Sequence, residues 1–329
     1  MKQKKLEIIA FVLTVCLLLG LATWLGWLYM PTRQDSGATW HKFLKEEKDS
    51  VDALIVGSSL AYCDIIPAEI YRQTGHTSYV LAAPYMKPDI AFYYLKEALR
   101  TQKPKVVLLE GSSFFFSDKE ADYYKVNIGY MPFGINRLQA TFDAPSQYRT
   151  GLLFPMYNYH SRWQNVPPQA YLTGREDGKV DLLAGYTALP EVNPQERRTE
   201  RKFLADEAEI ADNFSYLEKI KSLCDEQGIT LEIFIVPSCE YPGADNIARL
   251  KQSGLRVSDF NNDFDKIGLD TATDFYDSRH LNLTGAAKYS RYLASFLTEN
   301  FDLPQKAHNA ELWQQRVEHI DGWYQGKNQ

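Results

Sequence analysis

Two short stretches, far apart in a chain of 329 residues, carry side-chain types that together can perform acyl transfer. The first is Gly57-Ser58-Ser59-Leu60-Ala61, directly after the apolar run Val51–Val56. Glycine allows a tight turn out of a strand. A helix starting behind it leaves unpaired N–H groups and a positive dipole end where an oxyanion is stabilised. Alone, a serine at this place reads more readily as a helix cap. The second stretch is Asp277-Ser278-Arg279-His280-Leu281-Asn282. An aspartate three residues before a histidine can hold one imidazole nitrogen while the other faces a serine, which fixes the tautomer of a general base. Alone, this too reads as a surface loop before a helix capped by Asn282 or Thr284.

The elements that must bring the two together follow from the hydrophobic pattern. Apolar runs at 51–56, 78–83, 105–109 and 231–236 read as strands. Amphipathic stretches from Ser59 to about Arg72, over 88–100 and 207–226, from about 245, and over 284–299 read as helices between them. Strands alternating with helices predict an α/β domain of three layers, flavodoxin-like, around a parallel sheet. Both chemical stretches then lie at carboxyl ends of strands, where open parallel sheets hold ligands. Residues 111–200, rich in Tyr, Phe, Trp, Pro and Asn, break the rhythm and read as a large insertion after the third strand. The expected order is anchor 1–31, a short stalk or first helix over 32–50, domain 51–303 and a polar tail 304–329 that reads as a terminal helix.

The amino terminus points to a membrane. Ile8–Met30 carries no charge, follows Lys2, Lys4 and Lys5, and closes on Trp24, Trp27, Tyr29 and Pro31. About 20 helical residues cross a 30 Å hydrocarbon core. The run exceeds the apolar core of a cleaved signal, about 7–15 residues, and lacks its small-residue exit, so a retained anchor is expected. The basic start predicts a cytoplasmic amino terminus and an extracytoplasmic domain. A net charge of -6 with no basic stripe past the first residues argues against nucleic-acid binding. Cys16, Cys63, Cys224 and Cys239 form no C-x-x-C pair and read as small hydrophobes. The six histidines show no metal-binding spacing, and Asp259–Asp265 lacks the glycine of a calcium loop and reads as a turn. No metal or cofactor is expected.

A serine after the first strand, combined with a distant D-x-x-H before the last helix, resembles the SGNH (GDSL-like) hydrolase superfamily. The wording Val56-Gly57-Ser58-Ser59 near the start and Asp277-x-x-His280-Leu281-Asn282-x-x-Gly285-Ala286 near the end is similar to its membrane-anchored branch, to which DltD and the alginate O-acetylation proteins belong. The likeness covers about 51–110 and 205–299, and Tyr159-His160-Ser161-Arg162-Trp163 also looks like an element of that branch. It implies Ser59 as nucleophile, His280 as base and Asp277 as its orienting acid. Two departures stand out. The oxyanion glycine of the second block has no counterpart near Ala82-Ala83-Pro84, and the third block's G-x-N is replaced by Glu110-Gly111-Ser112-Ser113. Ser58, Ala83, Gly111, Ser112 and Asn282 are the candidates left to line an oxyanion hole or bind substrate, with His160, Arg162 and Trp163 from the insertion.

An outward-facing serine and histidine suit acyl transfer to water or to a hydroxyl. The resemblance implies an acyl group passed from a multispanning membrane-bound O-acyltransferase to a glycan or teichoic acid polymer. A catalytically degenerate glycan-binding or scaffold component is the alternative. An α/β-hydrolase lipase places its nucleophile after several strands and its acid and histidine on separate loops, which this order does not match. The insertion's aromatics, Tyr123, Tyr124, Tyr130, Phe133, Tyr148, Phe154, Tyr157, Tyr159 and Trp163, together with Arg137, Arg149 and Arg162, suit either a sugar-stacking groove or the insertion's own core.

Overall fold

In a computed structural model of the protein the described residues are 2–31, 40–118, 123–173, 180–196, 198–304 and 308–326. They form two compact units, Met1–Thr32 with Tyr124–Gly178, and Arg33–Tyr123 with Lys179–Gln329.

The larger unit is an α/β domain built on five parallel strands: β1 (Ala53–Gly57), β2 (Ser78–Ala82), β3 (Val106–Glu110), β4 (Thr230–Ile235) and β5 (Arg256–Asp259), in the order β2-β1-β3-β4-β5. Every residue of β1, β2 and β3 is buried, as a parallel sheet covered on both faces requires. Ala53, Ile55, Val80, Ala82, Val106, Leu108 and Phe234 share one core with Ile70 of helix Pro67–Thr74 and Tyr289 and Leu293 of helix Leu283–Asn300. The alternate residues Leu54, Val56, Leu81, Val107, Leu109 and Ile233 point to the other face and are equally buried. Each such side chain contributes about 1.5–3 kcal/mol. Because β1 is flanked by β2 on one side and β3 on the other, the chain reverses its direction of winding here. The carboxyl ends of β1 and β3 therefore border a crevice of the kind where open sheets bind ligands.

Several expected boundaries shift for local reasons. The helix read from Ser59 to about Arg72 is two, Ser59–Tyr62 and Pro67–Thr74, because Pro67 holds Ile66 extended at φ -104. β5 was not anticipated: its sequence Arg-Val-Ser-Asp carries one apolar residue and lies half-exposed at the sheet edge. Helix Glu207–Gln227 begins at the Asp206/Glu209 capping box and ends at left-handed Gly228, close to its expected span. The turn at Asp259–Asp265 holds a 3₁₀ turn over Phe260–Asp263 in which Asp259 caps the Asn261 N–H.

Residues 32–39 lie outside the described residues, and the rest of this segment carries a first helix rather than a stalk. Helix Trp40–Phe43 buries Trp40 edge-on to Tyr94 at 4.9 Å and Phe43 on Tyr79 at 5.0 Å. The tail forms the terminal helix expected of it, Ala310–Tyr324, but packs on the domain: its Trp313 stacks on Tyr71. Its Arg316 is fully buried and donates to Glu46 and to the Asp181 carbonyl. Both ends of the insertion also belong to this unit: Gly111–Phe115 forms a 3₁₀ turn, and Thr199–Glu200 pairs with Glu240–Tyr241.

The smaller unit is built on helix Lys2–Tyr29, long and apolar enough to cross a membrane. Its last turn is covered by residues 124–173. Leu28, Tyr29 and Met30 are buried, and Gly26 lies so close to Pro155 and Met156 that an added Cβ would fall 2.6 Å from the Met156 nitrogen. Tyr130 donates its hydroxyl to the Pro31 carbonyl, and Tyr124 stacks on Tyr148. Part of the insertion's aromatic set is thus its own core.

Candidate active site

Ser59 opens the short helix directly after β1, and Ser58 is its N-cap. The turn is tight because Gly57 lies against Glu110: any Cβ at position 57 would collide with the Glu110 Cβ. His280 arrives from a small hairpin in which Phe275 pairs with Leu281 and the Tyr276 N–H donates to the His280 carbonyl at 2.9 Å. Asn282 then caps helix Leu283–Asn300 with its side-chain oxygen on the N–H groups of Thr284 and Gly285.

These two turns meet. His280 Nε2 lies 2.8 Å from Ser59 Oγ, and His280 Nδ1 lies 2.9 and 3.0 Å from the two carboxylate oxygens of Asp277. Asp277 also accepts the backbone N–H groups of Arg279 and His280 at 2.7 and 2.8 Å. Burial raises the Asp277 pKa, but the hydrogen bond and charge of His280 and these two N–H groups outweigh it and bring it down to about 2. An ionised Asp277 only accepts, so Nδ1 carries a proton; in the neutral ring Nε2 is then the acceptor and the Ser59 hydroxyl donates to it. This is the arrangement that lets an imidazole take the proton of an attacking hydroxyl. Ser59 is partly exposed and the His280 side chain is 17% exposed, so the reacting atoms are open to an incoming group.

The candidates for an oxyanion hole fare differently. The Ala83 N–H donates to the Gly57 carbonyl at 3.1 Å, and the Ser112 N–H to Glu110 Oε1 at 2.6 Å, so both are taken. Ser58 gives its hydroxyl to Glu110 Oε2 at 3.1 Å. Asn282 spends its N–H on the Asp274 carbonyl and its Nδ2 on Thr273. Gly111 packs where a Cβ would meet Ile235 Cδ1 at 2.6 Å, so its role is close packing. Among the described residues, the backbone N–H groups of Ser59 and of Tyr85, on the loop leaving β2, carry no hydrogen bond. Tyr85 is held at φ 52, in the left-handed region that costs a bulky residue about 1–2 kcal/mol, with its ring stacked on Phe116 at 4.3 Å. His160, Arg162 and Trp163 belong to the unit that carries the apolar helix, not to the unit that holds Ser59 and His280.

Two acidic residues that sequence reasoning passed over support the pair. Asp64, fully buried five residues after Ser59, accepts the Leu281 N–H at 2.9 Å, tying the serine turn to the residue after His280. Burial pushes its carboxyl well above the usual range against that hydrogen bond. Its Oδ2 has no partner among the described residues. Glu110, buried at the end of β3, braces Ser58 and Ser112, and burial raises it as well. The one available signal was an acid inside an otherwise apolar run, Cys63-Asp64-Ile65-Ile66 and Val106–Glu110. The other buried cysteines, Cys224 and Cys239, are free like Cys63, with burial raising each thiol.

A cleft of about 540 Å³, lined by Arg198, Tyr241, Lys251, Asp259 and Asn262 among others, opens at the carboxyl end of β5. Its wall strand is joined to the histidine turn where the Glu240 N–H donates to the Ser278 carbonyl at 2.7 Å. No protein-family model matches the chain, and a search of curated proteins finds no match.

Proposed function

We propose that the protein is a membrane-anchored serine acyltransferase or esterase of SGNH type, with Ser59 as nucleophile, His280 as general base and acid, and Asp277 as the group that orients the ring. The observation that carries this reading is the 2.8 Å approach of Ser59 Oγ to an imidazole whose other nitrogen is held by an ionised carboxylate. The strand order β2-β1-β3-β4-β5 supports the flavodoxin-like assignment.

In the first step Ser59 Oγ bonds to the acyl carbonyl carbon while its proton passes to His280 Nε2. The carbon then releases the leaving oxygen, which takes that proton back from Nε2, and an acyl-serine remains. In the second step a hydroxyl of water or of an acceptor attacks the same carbon, giving its proton to Nε2, and the Ser59 oxygen leaves and recovers it. The free N–H groups of Ser59 and Tyr85 are the donors we assign to the developing oxyanion. The anchor favours transfer: a helix able to cross a bilayer suits an enzyme that receives acyl groups from a multispanning O-acyltransferase and passes them to a glycan or teichoic acid outside the cell, with the amino terminus in the cytoplasm.

A degenerate scaffold is the second reading, favoured by one observation: the Ala83 and Ser112 N–H groups are both consumed within the protein. Acyl content of the envelope polymer separates the two. Cells carrying Ser59→Ala in place of the wild-type chain lose acylation if the protein transfers, and keep it at wild-type level if it only binds.

A further inference from the structure

We propose that residues 124–173 form a lipid-binding surface that lies in the headgroup region at the carboxyl end of the span, against a leaflet of net negative charge. This rests on the reading that helix Lys2–Tyr29 crosses a bilayer.

Helix Ile135–Asp143 is inverted relative to a water-facing helix. It buries Asn136, Arg137 and Thr141 beside Ala140, and exposes Ile135 and Phe142 at 65% and 54% on a face that also carries Gln139 and Asp143. The buried Arg137 guanidinium is satisfied internally, donating to the carbonyls of Met131 and Leu152 at 3.1 and 3.2 Å. The outward placement of Ile135 and Phe142 is therefore built into the fold. Phe133, Tyr157, Trp163 and Leu172 are exposed on the same unit, Leu172 at 90%. Scattered exposed apolar residues are ordinary, but this concentration marks an interaction surface.

Position identifies what covers it. Tyr157 and Trp163 stand on the segments Pro155–Tyr159 and His160–Asn165, which pack against helix Lys2–Tyr29. Gly26 is the contact point with Met156, and Trp24 and Trp27 are half-exposed beside it. At about 1.5 Å per residue, Trp24 to Tyr29 spans only some 8 Å along the axis. A unit seated on that turn is at the depth of the headgroups, where Trp and Tyr concentrate. Charge agrees: leaving out the buried Arg137, residues 124–173 hold Lys125, Arg149 and Arg162 against the single acid Asp143, in a chain of net charge -6. Such an excess suits anionic lipid.

The test places nitroxide labels on the full-length protein in vesicles of phosphatidylcholine with phosphatidylglycerol, in a Cys16→Ala background. Labels go on Phe133→Cys and Leu172→Cys, with Val12→Cys in the span and Leu204→Cys on the larger unit as references. Collision with oxygen, which partitions into lipid, is compared with collision with a water-soluble nickel chelate. Labels at 133 and 172 should favour oxygen, as at 12 and opposite to 204, and should lose part of that preference in phosphatidylcholine alone. Chelate access equal to that at 204 would overturn the proposal. So would shielding from both reagents, which means a protein cover such as a second copy, and so would an unchanged result without anionic lipid. Water access at 12 as well would overturn the span itself, a separate failure.

Discussion

Ser59 and His280 stand 221 positions apart in the chain, and their side chains meet at 2.8 Å. A buried strut joins the two turns, the Asp64 side chain accepting the Leu281 N–H at 2.9 Å. The placement of Ser59 against His280 is thus set by this side-chain-to-backbone contact as well as by their own hydrogen bond.

Asp64 is the first place to perturb. Asp64→Ala leaves the Leu281 N–H unpaired in a buried site, a loss of about 1–3 kcal/mol, and should slow reaction of Ser59 by freeing the histidine turn. Asp64→Asn keeps the acceptor and should react near the wild-type rate. The pH sign follows from the raised pKa. The folded state holds this proton more tightly, so the contribution of Asp64 to stability is fully present below its unfolded value of about 3.9 and is lost as pH rises through the folded value. Thermal melting of Asp64→Asn should therefore gain on wild type as pH increases from 4 to 8, and a gap that shrinks would contradict this.

Gly57 and Glu110 are coupled by contact. Gly57→Ala drives a Cβ into that of Glu110 and should cost about 1–3 kcal/mol or more, as overpacking does. Glu110→Gly, which removes the obstructing carbon, is itself destabilising through the lost bonds to Ser58 and Ser112. The double variant should nonetheless be more stable than the sum of the singles by about 0.5–3 kcal/mol. Denaturant titration of the four chains measures this, and strict additivity would refute the contact.

Asp277→Asn should leave the turn folded yet slow acylation by roughly 10⁴-fold, because an amide does not fix the reactive tautomer. With its pKa brought down to about 2, Asp277 contributes stability above its unfolded value of about 3.9, and that contribution disappears as pH falls toward 2. Wild type and Asp277→Asn should melt apart at neutral pH and together near pH 2. A difference that persists at pH 2 would assign the effect to something other than the charge.

The three central strands and the long helices were legible because a parallel sheet buried on both faces leaves unbroken apolar runs, and because Asp206, Glu209 and Gly228 mark helix ends chemically. β5 was not, since an edge strand such as Arg256–Asp259 needs little apolar surface. Ser59, Asp277 and His280 were legible as residue types at telling places. Asp64 and Glu110 were not, because a buried acid is meaningful only through its partners, here the Leu281 and Ser112 N–H groups. Ala83 and Ser112 failed as oxyanion donors for the same reason: a free N–H cannot be told from a paired one until the chain is folded. The division of the insertion was equally invisible, as it depends on Gly26 receiving Pro155 and Met156.

The central claim is that Ser59 is an activated nucleophile. The direct measurement is intact-protein and peptide mass spectrometry of the folded, full-length chain after exposure to a fluorophosphonate. One adduct is expected, on Ser59, absent in Ser59→Ala and strongly slowed in His280→Ala. No adduct on the folded wild-type protein, or an adduct whose rate is indifferent to His280, would contradict it.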